Sequence, residues 1–191
     1  MRRALNRRIL PDPLSDKDIL KLCDNQARLV THDQIRNFRT VEDLLGPHGA
    51  AIILYATQVF PNDDILGHWV TVFRSPDDDS KIYYFDSYGK NVDNPLKYMT
   101  KNAIKKFGKY PYLTDLLQNF EARGGKVEVN KYKLQKQAND ISTCGRLVGL
   151  RLQFRFQDNE EFYNSMNSYS KKPLTIDELA VLLTAFMGYD D

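Results

Sequence analysis

Four residue types that can act together on a carbonyl carbon are spread along the chain: an imidazole, a carboxylate, a side-chain amide and a thiol. In chain order they belong to His68, Asp86, Gln137 and Cys144. A cysteine attacks as the thiolate, which a neighbouring imidazole promotes. A carboxylate can hold that imidazole in one tautomer, and an amide can donate a hydrogen bond to an oxyanion. The set predicts a cysteine nucleophile with a base, an orienting acid and an oxyanion donor.

The sequence around the cysteine adds detail to this hypothesis. Gln137 lies seven residues before Cys144, and Gly145 follows the cysteine directly. If Cys144 begins a helix, its sulfur faces the positive end of the helix dipole, and we expect Gly145 to leave room for a substrate backbone. The backbone N–H of Cys144 and the amide of Gln137 would then form the oxyanion site, although Gln135 competes with Gln137 for this role.

Each of these residues taken alone has an ordinary structural interpretation. Cys144 could be a core thiol, His68 a structural histidine, Asp86 a turn cap and Gln137 a surface residue. The joint pattern favours catalysis, because all four types occur in order and each is predicted at the edge of a helix or strand.

A predicted hairpin brings the base and the acid together. The segments 69–73 and 82–86 are rich in β-branched and aromatic residues and are predicted strands, joined by a turn at 76–80. His68 precedes the first strand and Asp86 ends the second. These two ends are neighbours in an antiparallel hairpin, so the side chains can meet although they are 18 positions apart.

The remaining elements are predicted from periodicity and from helix start and stop signals. Residues 150–156 are ambiguous: alternation slightly favours a strand, whereas Leu147, Leu150 and Phe154 suit a helix face. The other predictions are a helix that begins at Ser15, a short helix at 41–45, a buried strand at 50–56, helical structure over 95–122, a strand at 126–134 and a helix with a Thr175–Glu178 capping box that stops at Gly188.

Composition narrows the class of protein. The 191 residues are 42% hydrophobic with a net charge of +2, which is typical of a globular domain. Two cysteines and three histidines without close spacing predict neither a disulfide framework nor a structural zinc site, and a reducing compartment fits best. Cys23 lies in an apolar group, so we expect it to be buried and inert. No apolar run is long enough to span a membrane.

We divide the chain into a basic N-terminal arm, residues 1–13, and one domain, residues 14–191. The arm has no apolar stretch after its arginines and is therefore not expected to be a secretory signal. It is predicted to be a solvated tail, a contact for DNA or another polyanion, or a contact for a partner protein. The four arginines of this arm are Arg2, Arg3, Arg7 and Arg8.

Over residues 14–157 the sequence resembles the adenovirus maturation protease (adenain) family and, more distantly, the proteases that act on SUMO-type proteins. The resemblance lies in the order His, Asp, Gln, Cys, in Gly-His-Trp at 67–69, in Tyr-Phe-Asp-Ser-Tyr-Gly at 84–89 and in the Gln-x6-Cys-Gly of 137–145. Within that group the chain is most similar to proteases encoded by virophages, polinton-like elements and large DNA viruses.

The resemblance implies an α+β papain-like fold of reversed chain order, with a small mixed or antiparallel sheet and Cys144 at the N-terminus of a buried central helix. That implication overrides the strand prediction for 150–156. It further implies cleavage of viral capsid precursors after small residues such as glycine, in the virion or the viral factory of the host cytoplasm, without a cofactor. Trp69 would flank the substrate groove, although a core tryptophan is an equal alternative.

Two residue patterns differ from adenain. The acid is Asp86, as in the SUMO-protease branch, where adenain has a glutamate. The strand before Gln137 has no cysteine, so activation by a disulfide-linked peptide is not expected. The alternatives to a maturation protease are a peptidase of ubiquitin-like conjugates, a cysteine-dependent acetyltransferase and a binding module with an inactive site.

Overall fold

A five-stranded sheet in the order β1-β2-β3-β4-β5 forms the centre of the molecule. The computed structural model describes residues 13–138, 141–170 and 174–185. The strands are β1 (Arg28–Thr31), β2 (Ala50–Val59), β3 (Ile65–Arg74), β4 (Lys81–Asp86) and β5 (Lys126–Val129). The arm at 1–12 and the stop signal at Gly188 lie outside the described residues.

The sheet is mixed. Strands β2, β3 and β4 form the predicted antiparallel meander, whereas β1 pairs with β2 and β4 pairs with β5 in parallel. Together with the helices this makes an α+β fold, as expected. The sequence did not predict β1, and β5 is shorter than the predicted strand at 126–134.

Seven α-helices are described. They are α1 (Asp16–Leu22), α2 (Val41–Leu45), α3 (Lys101–Phe107), α4 (Tyr112–Ala122), α5 (Cys144–Gln153), α6 (Asn159–Tyr169) and α7 (Ile176–Leu183). Three short 3₁₀ segments accompany them, at His32–Asn37, Gly46–His48 and Asn94–Tyr98. Among the described residues, none of these helices combines the length and the apolar character that a membrane span requires.

The predicted helix starts are confirmed where side-chain caps define them. Ser15 accepts a hydrogen bond from the Asp18 N–H, and Thr175 does the same for Glu178. Both are capping boxes, in which the third helical residue also accepts from the capping residue's own N–H. The region 95–122 is helical but divided, because Gly108 with φ +77° and Pro111 separate α3 from α4.

Two hydrophobic cores lie on opposite faces of the sheet. One contains side chains from α1, α5, α6 and α7 together with Phe73 and Phe85 of the sheet. The other contains side chains from α2, α3 and α4 together with Val70 and Val72. The alternation of β3 residues between the cores follows the two-residue period of a strand.

Residues 144–153 are helical, so the strand prediction from alternation at 150–156 is wrong over this range and the helix implied by the resemblance is confirmed. Alternation failed because Arg151, assigned to a polar face, is fully buried. Its guanidinium donates to the carbonyls of Phe154 and Gln157 and lies over the ring of Phe73, 4.6 Å from the centroid. These contacts give both terminal nitrogens of a buried arginine a partner, whereas its Nε has none among the described residues.

Candidate active site

The hairpin of β3 and β4 places the imidazole against the carboxylate. Val70 pairs with Asp86 across the two strands, and His68 lies two residues away along β3. Its Nε2 is 3.1 Å from Asp86 Oδ1. A Cβ at Gly67 would lie 2.4 Å from the carbonyl oxygen of Tyr55 on β2, so the residue before the histidine must be glycine for β2 and β3 to approach this closely.

Asp86 is held from several directions. Its side chain is buried, and Oδ1 also accepts a hydrogen bond from the Tyr88 N–H at 2.7 Å. Asn130 donates to the Asp86 carbonyl at 2.7 Å and to the Tyr132 carbonyl at 3.0 Å. These contacts fix the carboxylate at the end of β4, so that it can orient the imidazole in one tautomer.

Cys144 is the first residue of α5, where it meets the same imidazole. The thiol lines the same cleft as the His68 ring, and that ring and the backbone N–H groups of Trp69 and Gly145 act on the sulfur. Because Asp86 occupies Nε2, the ring nitrogen left for the sulfur is Nδ1. The structure therefore gathers the thiol, the imidazole and the carboxylate, which are predicted from three separate parts of the sequence, into one chain of contacts.

The charges of this group favour a thiolate and an imidazolium. Burial alone would raise the pKa of Cys144, but the hydrogen bond and charge of His68, aided by the two backbone N–H groups, lower it below its usual value. Burial alone would likewise lower the pKa of His68, yet the hydrogen bonds to Asp86 and Cys144 raise it to about 10. An ion pair of this kind is the reactive form of a cysteine nucleophile.

A cleft of about 470 Å³ opens onto the sulfur. Both glutamines that compete for the oxyanion role line it, together with Cys144 and His68. Gln137 is exposed. Gln135 is buried, and its Oε1 accepts from the Ser87 hydroxyl at 2.7 Å. The fixed amide of Gln135 supports Ser87, so Gln137 is the glutamine whose side chain remains available to a substrate.

The two residues predicted to bind substrate lie beside the cleft, in the core. Trp69 is only 8% exposed and belongs to the core on the α5 face, so the alternative of a core tryptophan describes it. A Cβ at Gly145 would lie 2.8 Å from Ile19 Cδ1 and 3.4 Å from Trp69 Cδ1. The expectation that Gly145 leaves room for a substrate is therefore corrected: it leaves room for α1.

Sequence reasoning missed Tyr88 and Asn130 as supports of the site. The Tyr88 ring stacks on the His68 ring with centroids 4.8 Å apart, and it also lines the cleft. Its position two residues after the predicted acid, Asp86, is a sequence signal that could have indicated this role. Asn130 follows β5 and gave no signal, because its role depends on the parallel pairing of β5 with β4. Among the described residues, no cluster of three or more His, Cys, Asp or Glu side chains could hold a metal ion.

Comparisons with known proteins give a viral relative. No protein-family model matches the sequence. A solved structure, the central domain of the uncharacterized Lpg1148 protein of Legionella pneumophila, superposes with a TM-score of 0.40 at 16% identity over 92% of this chain and 95% of that one. Uncharacterized protein V9 of Sputnik virophage is 38% identical over 175 residues, which cover 90% of this chain and 93% of V9. The chain therefore belongs to the family of the Sputnik virophage protein V9.

Proposed function

We propose that this chain is a cysteine endopeptidase that cleaves viral precursor proteins after small residues such as glycine. One observation carries the proposal: Cys144, the first residue of α5, lines one cleft with the His68 ring, whose Nε2 lies 3.1 Å from the buried Asp86 carboxylate. A structural cysteine needs neither a paired imidazole nor an orienting carboxylate. A cysteine nucleophile uses the imidazole as its base, and a carboxylate can orient that base.

The chemistry follows from these positions. The Cys144 thiolate attacks the peptide carbonyl, and the negative charge moves to the carbonyl oxygen. The backbone N–H of Cys144 and the Gln137 amide donate to that oxygen. The His68 imidazolium then gives its proton to the amine as the C–N bond breaks, which leaves a thioester on Cys144. His68 next takes a proton from the water that attacks this thioester, and the Cys144 thiolate leaves as the new carboxyl terminus is released. Asp86 keeps the ring oriented through both steps.

The cleft is suited to a polypeptide. Beyond the polar groups around the sulfur, its wall includes Leu66, Pro95 and Tyr98, of which Leu66 and Tyr98 are largely exposed. An apolar wall beside a polar reaction centre is typical of sites that bind one apolar side chain and orient a backbone. Kinship with a virophage protein supports a viral setting, with capsid precursors as substrates in the virion or the viral factory.

The test is cleavage of a purified viral capsid precursor. Incubation with purified precursor, followed by mass spectrometry of the new termini, should give cuts after glycine. Cys144→Ala should give none, and Cys23→Ala should cut like the wild type. An uncut precursor, or equal cutting by Cys144→Ala, would contradict the proposal.

A parallel reaction separates the nearest alternative. A ubiquitin-like or SUMO-like vinyl sulfone probe should leave Cys144 unlabelled if precursor proteins are the substrates. Rapid labelling of Cys144 by such a probe, without precursor cleavage, would instead assign the same chemistry to ubiquitin-like conjugates. A role of Arg2, Arg3, Arg7 and Arg8 in DNA binding stays a prediction, because these residues lie outside the described part of the chain.

A further inference from the structure

The C-terminal helix reaches the active site through a single buried carboxylate. Asp177 lies in the first turn of α7 and is 3% exposed. Its Oδ2 accepts a hydrogen bond from the Lys136 backbone N–H at 3.0 Å, and its Oδ1 accepts one from the Thr143 hydroxyl. Both oxygens of the carboxylate are therefore engaged by the segment that precedes Cys144.

The two partners of Asp177 are each next to a residue of the proposed active site. Lys136 directly precedes Gln137, and Thr143 directly precedes Cys144. One carboxylate thus holds the chain immediately before the predicted oxyanion donor and immediately before the nucleophile. A geometry that must be kept to within about 0.5 Å needs support of this kind from a rigid element.

The contact with Asp177 also determines what Thr143 does at the start of α5. A threonine before a helix commonly accepts a hydrogen bond from an N–H of the first turn. Thr143 makes no such cap, and its hydroxyl donates to Asp177 instead. The first-turn N–H groups of α5 are therefore not covered by this side chain, and that of Gly145 acts on the sulfur.

The helix that carries Asp177 is fixed at its far end as well. Arg146 of α5 is 3% exposed and donates to the Thr184 carbonyl at 3.2 Å and to the Thr184 hydroxyl at 2.7 Å. Thr184 follows directly after α7. Contacts at both ends of α7 hold it against α5, so Asp177 has a defined position relative to Cys144.

We propose that Asp177 is a positioning residue of this active site, which holds the Gln137 amide and the Cys144 backbone in the geometry that binds the oxyanion. The inference rests on the proposed peptidase function. It assigns a role to the C-terminal region beyond the segment that resembles adenain. Asp177 acts through Lys136 and Thr143 and does not touch the reacting atoms.

The experiment compares Asp177→Ala with Glu178→Ala. Glu178 is the neighbouring residue of α7 and accepts from the Thr175 N–H in the helix cap. Its loss therefore weakens the helix but leaves the contacts of Asp177 with Lys136 and Thr143 in place. On a fluorogenic Gly-Gly aminomethylcoumarin peptide, Asp177→Ala should lower kcat about 10- to 100-fold with KM nearly unchanged. Glu178→Ala should keep kcat within about twofold. Thr143→Val removes one of the two contacts of Asp177, so its kcat should lie between those of the other two variants. If Asp177→Ala does not fold, Thr143→Val takes its place in the comparison.

Two readouts separate positioning from general destabilisation. In a Gln137→Ala background, Asp177→Ala should lower kcat less than about threefold further, since both changes disturb the same oxyanion site. Alkylation of Cys144 by iodoacetamide, which needs the thiolate but no oxyanion site, should fall less than about threefold. Equal kcat losses in Asp177→Ala and Glu178→Ala, or fully additive losses with Gln137→Ala, would overturn the inference.

Hydrogen exchange tests the contact between Asp177 and the Lys136 N–H without any substrate. The Lys136 amide, measured by NMR, should exchange at least about tenfold faster in Asp177→Ala than in wild type or Glu178→Ala. Unchanged exchange would contradict the claim that Asp177 holds this segment, even if the enzyme is active. Wild-type protein that hydrolyses no peptide would contradict the proposed function instead, and the exchange rates would still decide whether Asp177 holds the segment.

Discussion

The two cysteines lie on neighbouring helices and are equally buried, with 7% of Cys23 and 8% of Cys144 exposed. Helices α1 and α5 run side by side in the same direction, since Gly145 packs near Ile19 and Gly149 packs near Leu22. Cys144 is the first residue of α5, whereas Cys23 caps the C-terminal end of α1. The two thiols thus occupy opposite ends of one helix pair.

Their surroundings have opposite effects on the thiol pKa. Burial raises the pKa of Cys23, and its sulfur contacts the Ile19 and Leu20 carbonyls at 3.5 and 3.2 Å, where a thiol donates. Cys144 has the His68 ring and backbone N–H groups, and its pKa is lowered despite burial. A helix dipole favours a negative charge at the N-terminal end and disfavours it at the other. Helix end and polar partner therefore distinguish the two cysteines, and exposure does not.

The largest effect is predicted for a substitution that makes the thiol of Cys144 as unreactive as that of Cys23. His68→Ala removes the imidazole, so the pKa of the Cys144 thiol should return toward or above its usual value. Peptide hydrolysis should fall roughly 10⁴-fold or more. Iodoacetamide labelling of Cys144 at neutral pH, followed by peptide mass spectrometry, should slow markedly toward the rate of Cys23.

The matched control is Cys23→Ala, which should keep kcat within about twofold and cost about 1 kcal/mol of unfolding free energy. If His68→Ala kept the fast labelling of Cys144, the helix end alone would explain its reactivity. The role assigned to the imidazole would then be wrong.

A smaller effect distinguishes the two glutamines. Gln137→Ala should lower kcat about 10²- to 10³-fold through loss of an oxyanion donor, while Cys144 labelling stays near the wild-type rate. Gln135→Ala should mainly cost about 1–3 kcal/mol of stability, because the buried Ser87 hydroxyl loses its partner. Kinetics and urea unfolding measured on both variants give the answer. A larger kcat loss in a folded Gln135→Ala protein would transfer the oxyanion role to Gln135.

The smallest effect concerns the packing that holds the two helices together. Gly145→Ala and Gly149→Ala each place a methyl group against α1, at 2.8 Å from Ile19 Cδ1 and at 2.7 Å from Leu22 Cδ1 respectively. Each should lower the unfolding free energy by about 1–3 kcal/mol. Gly149→Ala should cost more, since the methyl also lies 2.8 Å from the less adaptable Leu22 Cβ. Thermal unfolding of both variants checks the order, and Gly145→Ala as the more destabilised would contradict it.

Local signals in the sequence predicted much of the fold. The Ser15 and Thr175 capping boxes and the β-branched strands of the meander depend on short-range interactions, so a single sequence contains them. The capping box of α6, from Asp158 to Glu161, is a local signal of the same kind. The parallel strand β1 could not be predicted in the same way. Its four residues become a strand by pairing with β2, from which 18 residues separate them.

For the active site, the sequence indicated the reacting groups and missed most of their supports. His68, Asp86 and Cys144 follow from chemical type and from the predicted hairpin. Asn130 and Asp177 support the site through backbone groups distant in sequence, and no local pattern marks such contacts. Gly145 shows the opposite error: its chemistry suggested a substrate contact, and only the packing of α1 revealed its structural role.

The most direct test of the central claim is the pH dependence of alkylation at both cysteines of one sample, read by mass spectrometry. Because the pKa of Cys144 is lowered and that of His68 is raised to about 10, the thiolate persists below the usual thiol pKa. Cys144 labelling should therefore persist at pH values below the usual thiol pKa and decline only on further acidification. Peptide hydrolysis should also fall near pH 10, where His68 loses the proton it donates.

Cys23, whose pKa is raised, should label more slowly than Cys144 throughout, with a rate that falls about tenfold for each pH unit below its pKa. That difference is the predicted result. Labelling of Cys144 that fell in the same way as that of Cys23 would show an ordinary thiol at the start of α5 and would contradict its assignment as the nucleophile.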